Sequence, residues 1–280
     1  MSSEEKEFFR SSMLIRPLRL VAISIGSIAC KRLNQERIGQ VHSVFRRVLN
    51  VLTPENRLIC VVRRDVQRGP INVVTNLPQW ISMTSIGVRE NYEVLKVGGS
   101  ITVENDVLVI STRNAKEWKP QKEFQADLLT AEQIRDNLRL VKEAACSHGS
   151  FSGLGQLIEC LGDRRSARLV RGALNPFARK ALPHISKLMK AIREGCSPNI
   201  RTSAKRLIGL GPGLTPSADD MLSGLMTSLA VMTKNLGINA NLASRANKEI
   251  ASCVPGRTTL ISQEFLTLAA DGEASEPILE

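Results

Sequence analysis

Aromatic side chains are scarce in this chain: seven Phe, two Trp and one Tyr among 280 residues. That scarcity argues against single-stranded nucleic-acid binding, which uses several exposed rings as stacking platforms. Histidine is rarer still, with His42, His148 and His184 the full set. No H-E-x-x-H, no G-x-S-x-G and no Cys/His nucleophile arrangement is present. The six cysteines, at 30, 60, 146, 160, 196 and 253, form no C-x-x-C pair. Their wide spacing excludes a zinc ribbon and a disulfide scaffold. Scattered thiols fit small buried hydrophobes in a reducing cytoplasm. No run approaches the roughly 18 apolar residues that span a bilayer. The nearest imitation of a targeting segment is Leu20–Ala29, which follows Arg10, Arg16 and Arg19 and ends at Cys30. Its short length, its Val and Ile content and the Lys31-Arg32 that follows read instead as a buried strand.

What the chain does have is an ordinary globular balance, 42% hydrophobic and 23% charged, which excludes wholesale disorder. Its formal net charge of +11 invites an anionic partner. The excess is uneven. Residues 1–120 hold 18 Lys+Arg against 11 Asp+Glu, and the remainder 20 against 16. The densest basic cluster, Arg164, Arg165, Arg168 and Arg171, reads as a helix with a solvated face. No helix-turn-helix partner accompanies it, which sets nucleic acid aside.

The apolar period changes after Trp118-Lys119-Pro120. Before it, β-branched runs and turn residues predict strands over Leu18–Cys30, Gly39–Leu52, Leu58–Arg64, Ile71–Asn76, Val94–Val97, Ser100–Val103 and Val107–Ser111. Gly98-Gly99 and Glu104-Asn105-Asp106 make hairpin turns between the last three. Short strands at this spacing predict a small barrel or sandwich. From about Leu128 the spacing is helical, as in Ile134, Leu138 and Val141. Further helices are expected over Leu154–Leu161, from Asp163 as cap through Leu174, from Asn175-Pro176 to Gly195, and from Ser197-Pro198 to Leu207. The expected architecture is α+β: a β-rich domain over 1–120, then an all-helical domain over 121–280.

The most informative stretch is Gly209-Leu210-Gly211-Pro212-Gly213-Leu214-Thr215-Pro216-Ser217-Ala218-Asp219-Asp220. Three alternating glycines allow positive φ and close backbone approach. Thr215-Pro216 reads as a helix cap followed by Pro at the first position, and Ser217 to Asp220 fits a capping box. Either way a helix begins here, with Leu222, Leu225, Leu229 and Met232 as its apolar stripe to Gly237. A glycine-rich loop feeding a helix N-terminus leaves backbone N–H groups pointing outward for an anion. The hydroxyls of Thr215 and Ser217 add donors. The same loop is equally readable as a bare connection. It is neither a Walker A loop nor a dinucleotide fingerprint, since no Gly-Lys-Ser/Thr and no βαβ context is present. Asp219 and Asp220 in a first helical turn favour the helix dipole. The same pair suits Mg²⁺ beside a phosphate, or the positioning of an amine.

Two other segments add candidates. In Pro255-Gly256-Arg257-Thr258-Thr259, one threonine caps a helix over Leu260–Ala270, and Arg257 is either a turn residue or a carboxylate or phosphate clamp. On the strand Gln40 to Phe45, His42 points opposite Val41, as a surface residue or a cleft donor.

These residues carry a resemblance. The string from Gly209 to Asp220 closely resembles the GLGPGLTPSGDD hallmark of the AllH-like family, which includes a subunit of bacterial oxamate carbamoyltransferase from anaerobic allantoin degradation. Gly39 to Arg47 with Asn50, and Arg257 to Ser262 with Phe265-Leu266 and Gly272-Glu273, resemble the family too. The resemblance runs from the first strands to Leu279. It departs at Ala218, where the family usually has Gly. The resemblance implies a carbamoyltransferase subunit that interconverts oxalurate plus phosphate with oxamate plus carbamoyl phosphate, beside companion subunits. On that expectation Gly209, Gly211, Gly213, Leu214, Thr215, Ser217 and Thr258 bind the anion. Asp219, Asp220, His42 and Arg257 serve catalysis, with no metal required and Mg²⁺ an option. The rival readings are a non-catalytic subunit whose loop binds an anion for assembly or regulation, and a basic nucleic-acid-binding protein.

Overall fold

A computed structural model describes residues 17–120, 130–149, 152–158, 174–235 and 239–279. They fall into two compact units: the described residues of Met1–Pro120 with Ser275–Glu280, and those of Gln121–Ala274. The chain is α+β, with a barrel first and helices after it.

The strands in chain order are β1 Leu18–Gly26, β2 Arg37–Val44, β3 Val48–Leu52, β4 Leu58–Val62, β5 Asn72–Thr75, β6 Glu93–Val97, β7 Ser100–Val103, β8 Leu108–Ser111 and β9 Lys116–Trp118. Their order around the sheet is β5-β4-β3-β2-β6-β7-β8-β1, and a β1–β5 pairing closes the barrel. Closure leaves no exposed edges among these eight strands. β1 changes neighbour along its length: Leu18–Val21 pairs with β8 and Ser24–Gly26 with β9, both parallel.

Alternation fills the barrel. Leu49 faces Val61 and Val51 faces Ile59 across β3 and β4, as Ile101 faces Ile110 and Val103 faces Leu108 across β7 and β8. All eight are at most 2% exposed. Burying each such side chain stabilises the fold by about 1.5–3 kcal/mol.

Two expected strands are corrected. The run from Leu18 stops being a strand at Gly26, and Ser27–Arg32 winds into a short helix, α1. Its Ile28 and Ala29 amides donate to the Pro70 carbonyl at 3.0 and 2.9 Å, which satisfies two orphan groups of its first turn. The run Gly39–Leu52 folds back on itself: Phe45 N–H donates to Val48 O at 2.7 Å, making Arg46-Arg47 a two-residue hairpin turn. Strand β9 carries no alternation that predicted it.

In the second unit, α2 is Ala131–His148, and Thr130 with Gln133 forms a reciprocal capping box at its start. Of the expected helix Leu154–Leu161, Gly155–Ile158 is a short 3₁₀ helix, and residues 159–161 lie outside the described residues. The expected helix from Asp163 to Leu174 and its arginine cluster lie outside the described residues, apart from Leu174. Helix α3, Pro176–Glu194, starts on Asn175, whose side chain accepts from Ala178 N–H, and stops at Gly195 in a left-handed conformation. Then come α4 Ser197–Leu207, α5 Ser217–Asn235, α6 Ala240–Ala251 and α7 Leu260–Ala270. Helix α4 packs on α3 and α6, and α5 on α6 and α7. Leu188, Ile200, Leu207, Leu222, Met226, Ile250 and Leu266 form the centre of this second core.

The last helix, α8 Glu276–Leu279, belongs to the barrel unit. The backbone N–H and Nε of Arg68 donate to the Glu276 carboxylate at 3.2 and 2.8 Å. Among the described residues, no helix is long and apolar enough to cross a membrane.

Candidate functional site

Helix α4 ends at Leu207, and Leu210 N–H turns back to the Leu207 carbonyl at 2.9 Å. The chain then runs through the glycine-rich loop to α5, which begins at Ser217. The Pro216 carbonyl accepts from the Asp219 and Asp220 amides at 2.8 and 3.1 Å, so the residue before the helix is Pro216 itself rather than Thr215. The loop folds tightly over that start: Ala218 N–H donates to Leu210 O at 3.1 Å.

Glycine is required at two places. Gly209 has φ +79°, and a Cβ there lies 2.5 Å from the Arg257 carbonyl oxygen. Gly211 has φ +133°, and a Cβ there lies 2.7 Å from the Ser217 nitrogen. Either contact is closer than van der Waals packing allows. At Gly213, by contrast, a Cβ meets open space.

Asp219 anchors the arrangement. It is 1% exposed. Its Oδ1 accepts from Gly209 N–H at 2.8 Å, and its Oδ2 accepts from Thr258 Oγ1 at 2.5 Å and Ser262 Oγ at 2.6 Å. Three donors and a position in the first turn of α5 offset the cost of burying the carboxylate. A second tie joins the same segments: Thr259 Oγ1 donates to the Leu214 carbonyl while accepting from Ser262 N–H at 3.1 Å, which caps α7. The Gly209–Ser217 loop is thus held from both ends by the 257–262 segment.

This clamping leaves a concentration of free donors. The backbone N–H groups of Gly211, Gly213, Leu214, Thr215 and Ser217 make no hydrogen bond among the described residues. Pro212 to Thr215 are exposed, and Ser217 is half-buried. Successive unpaired amides at the positive end of a helix form a cradle of positive potential. Ser217 also abuts the Ser152–Leu154 turn, where a Cβ on Gly153 lies 2.2 Å from Ser217 Oγ.

The remaining candidates occupy different settings. Asp220 is exposed on α5, and partial burial, then the neighbouring Asp219 charge, raise its carboxyl above the usual carboxylate range. Arg257 is exposed on the turn that touches Gly209, and its guanidinium makes no ion pair or hydrogen bond among the described residues. Thr258 Oγ1 is committed to Asp219. Ala218 is a fully buried member of the helical core. His42 belongs to the barrel unit, where it sits at a register shift in the β2–β3 pairing. Its Nδ1 lies 3.1 Å from Ser43 Oγ, which accepts from Asn50 Nδ2 at 3.0 Å. Ser262 and Gly153 join the site without any signal in the sequence beyond residue type. Among the described residues, no cluster of three or more His, Cys, Asp or Glu is placed to hold a metal ion.

A closed barrel followed by a helical unit, whose one glycine-rich turn opens a helix and is locked by a buried aspartate, defines a two-unit α+β protein. Two family models match it. The AllH family N-terminal domain matches residues 21–117, and the model described as oxamate carbamoyltransferase subunit AllH matches residues 207–280. The first spans the barrel strands, the second the loop, Arg257 and the Thr258–Ser262 clamp. The chain belongs to the AllH family. No curated protein and no solved structure matches it.

Proposed function

We propose that this chain is the subunit of an oxamate carbamoyltransferase that holds the phosphate side of the reaction, in the catabolism of allantoin-derived oxalurate. The observation that carries the reading is the set of five unpartnered amides from Gly211 to Ser217, fixed by the Asp219 anchor. In the reaction, a phosphate oxygen attacks the carbamoyl carbon of oxalurate. The bond from that carbon to the oxamate nitrogen breaks, and the nitrogen takes a proton. Carbamoyl phosphate and oxamate leave, with no change of oxidation state. Such a transfer needs alignment of two anions and stabilisation of a developing oxyanion more than covalent chemistry.

In this reading, the loop amides and the Thr215 and Ser217 hydroxyls hold phosphate or carbamoyl phosphate. Arg257 clamps a carboxylate or carbonyl oxygen of the partner substrate. Asp220 orients the nitrogen and manages its proton, a task suited to a carboxyl with a raised pKa. Asp219 and Thr258 act as positioning residues for the cradle. Companion subunits complete the enzyme, in keeping with a family of carbamoyltransferase subunits. Free cysteines at 30, 60, 146, 196 and 253 favour a cytoplasmic setting.

A crystal soaked with phosphate or carbamoyl phosphate tests the loop. Density cradled by Gly211–Ser217 is expected; density elsewhere with the loop empty refutes the assignment. Asp220→Asn in the reconstituted complex tests the catalytic part. Lost turnover with intact assembly is expected, whereas unchanged turnover with weakened assembly favours a non-catalytic anion-binding subunit.

A further inference from the structure

The barrel unit carries a cleft of about 470 Å³ that the carbamoyltransferase reading does not use. Its size falls within the roughly 300–1,000 Å³ usual for small-molecule sites. The cleft is built by an irregularity in β1. In the β1–β5 pairing, Ala22 stands opposite Thr75 but Ser24 stands opposite Val74, so Ile23 is an extra residue. Such a bulge reverses which side chains face the core. Ala22 and Ile25 are both core residues, three apart, while Ser24 between them lines the cleft instead.

The register then lays out the floor. Val74, Ser24 and Lys116 form one row across β5, β1 and β9. Ile23 and Trp118 add apolar surface, and Arg64 stands on the loop that follows β4. Two features of this row point to a ligand. Ser24 lines the cleft, and its hydroxyl makes no hydrogen bond among the described residues, so it is open to a bound acceptor. The charges are also unbalanced. Asp65 is taken up by Arg63 at 2.5 and 2.7 Å, Glu276 by Arg68 at 2.8 Å and Glu117 by Lys119 at 3.4 Å. Arg64 and Lys116 have no acidic partner among the described residues.

We propose that this cleft binds a small organic anion, with its phosphate or carboxylate between Arg64 and Lys116, a hydrogen bond to Ser24, and its apolar body against Ile23, Val74 and Trp118. The proposal stands independently of the loop in the helical unit.

Trp118 is a built-in reporter. The other tryptophan, Trp80, is 84% exposed, so Trp80→Phe removes it with little loss of packing. The single-tryptophan protein is titrated with phenyl phosphate, inorganic phosphate and phenol while Trp118 emission is followed. Phenyl phosphate is expected to give a saturable change with a Kd of about 1 mM or below, complete by about 10 mM. Arg64→Ala or Lys116→Ala each weakens it about tenfold, since one charge-assisted contact is lost, and Ser24→Ala weakens it less. Gly211→Ala, in the other unit, leaves the titration unchanged. No saturable change, or a change indifferent to Arg64 and Lys116, overturns the site. Inorganic phosphate or phenol binding as well as phenyl phosphate overturns the assignment of an organic anion.

Discussion

Replacing Asp219 by alanine is the sharpest perturbation of the loop. The carboxylate is 1% exposed and accepts three hydrogen bonds, so its removal orphans the Gly209 amide and the Thr258 and Ser262 hydroxyls together. The hydroxyls rotate toward other acceptors, but the Gly209 amide is fixed by its backbone. Each buried donor left unmet costs about 1–3 kcal/mol, and donors to a charged acceptor lie at the upper end. With partial rescue of the hydroxyls, the expected loss is about 3–5 kcal/mol. Against a total domain stability of about 5–15 kcal/mol that is severe. At about 2–4 °C per kcal/mol for a unit of this size, the helical unit should melt roughly 10 °C lower. Asp219→Asn keeps an acceptor for Gly209, and the two hydroxyls turn to accept from its amide group. It should lose only about 1–2 kcal/mol. Calorimetry, with hydrogen exchange at Gly209 as the local probe, separates the two variants. An Asp219→Ala protein within about 0.5 kcal/mol of the parent, the range of ordinary surface changes, refutes the anchor.

Other substitutions test neighbouring parts of the argument. Gly211→Ala should abolish phosphate binding at the loop, because the new methyl contacts the Ser217 amide, whereas Gly213→Ala should bind phosphate and lose only about 1–2 kcal/mol for its positive φ; equal effects in a phosphate titration contradict the geometry. Ala218→Gly, the family's usual residue, should lose about 1 kcal/mol of helix stability and leave phosphate affinity unchanged, as read by thermal melts and titration. The Asp220 carboxyl has its folded-state pKa raised, so its contribution is favourable below the unfolded value near 4 and is lost as pH rises through the folded value. Asp220→Asn should therefore melt higher than the parent at neutral pH, with the gap closing as pH falls to about 4; a gap that widens in acid reverses the sign of the argument. Arg257→Ala should leave the melting temperature unchanged and raise KM for the carboxylate substrate, and an altered melt with unchanged KM makes Arg257 structural.

Much of the barrel was legible because a half-buried strand writes its period directly: Ile101 and Val103 alternate with Ser100 and Thr102, Val107 to Ile110 form a continuous apolar run, and glycine or Asn-Asp turns separate the strands. Two boundaries were not. Arg46-Arg47 turns a hairpin without Gly, Pro or Asn, so the sequence reads straight through it. Ser27–Cys30 looks β-branched and apolar, but the Pro70 carbonyl, far away in sequence, supplies the acceptor that lets a helix start there. The helix starts at Asn175 and Thr259 were readable from cap chemistry, since a single side chain decides them. The loop itself was readable as a helix-opening glycine turn. What sequence spacing could not reveal was that Asp219 turns inward to three donors while Asp220 faces solvent, because adjacent residues on a helix differ by about 100° and only tertiary packing sets the zero of that angle. Ser262 was hidden for the same reason, a small polar residue whose importance lies in the buried carboxylate it meets.

The anion cradle is tested most directly by a ¹⁵N-resolved phosphate titration of the full chain. Saturable shifts are expected at the Gly211, Gly213, Leu214, Thr215 and Ser217 amides, lost in Gly211→Ala. Phosphate-dependent shifts elsewhere with those five amides unmoved contradict it.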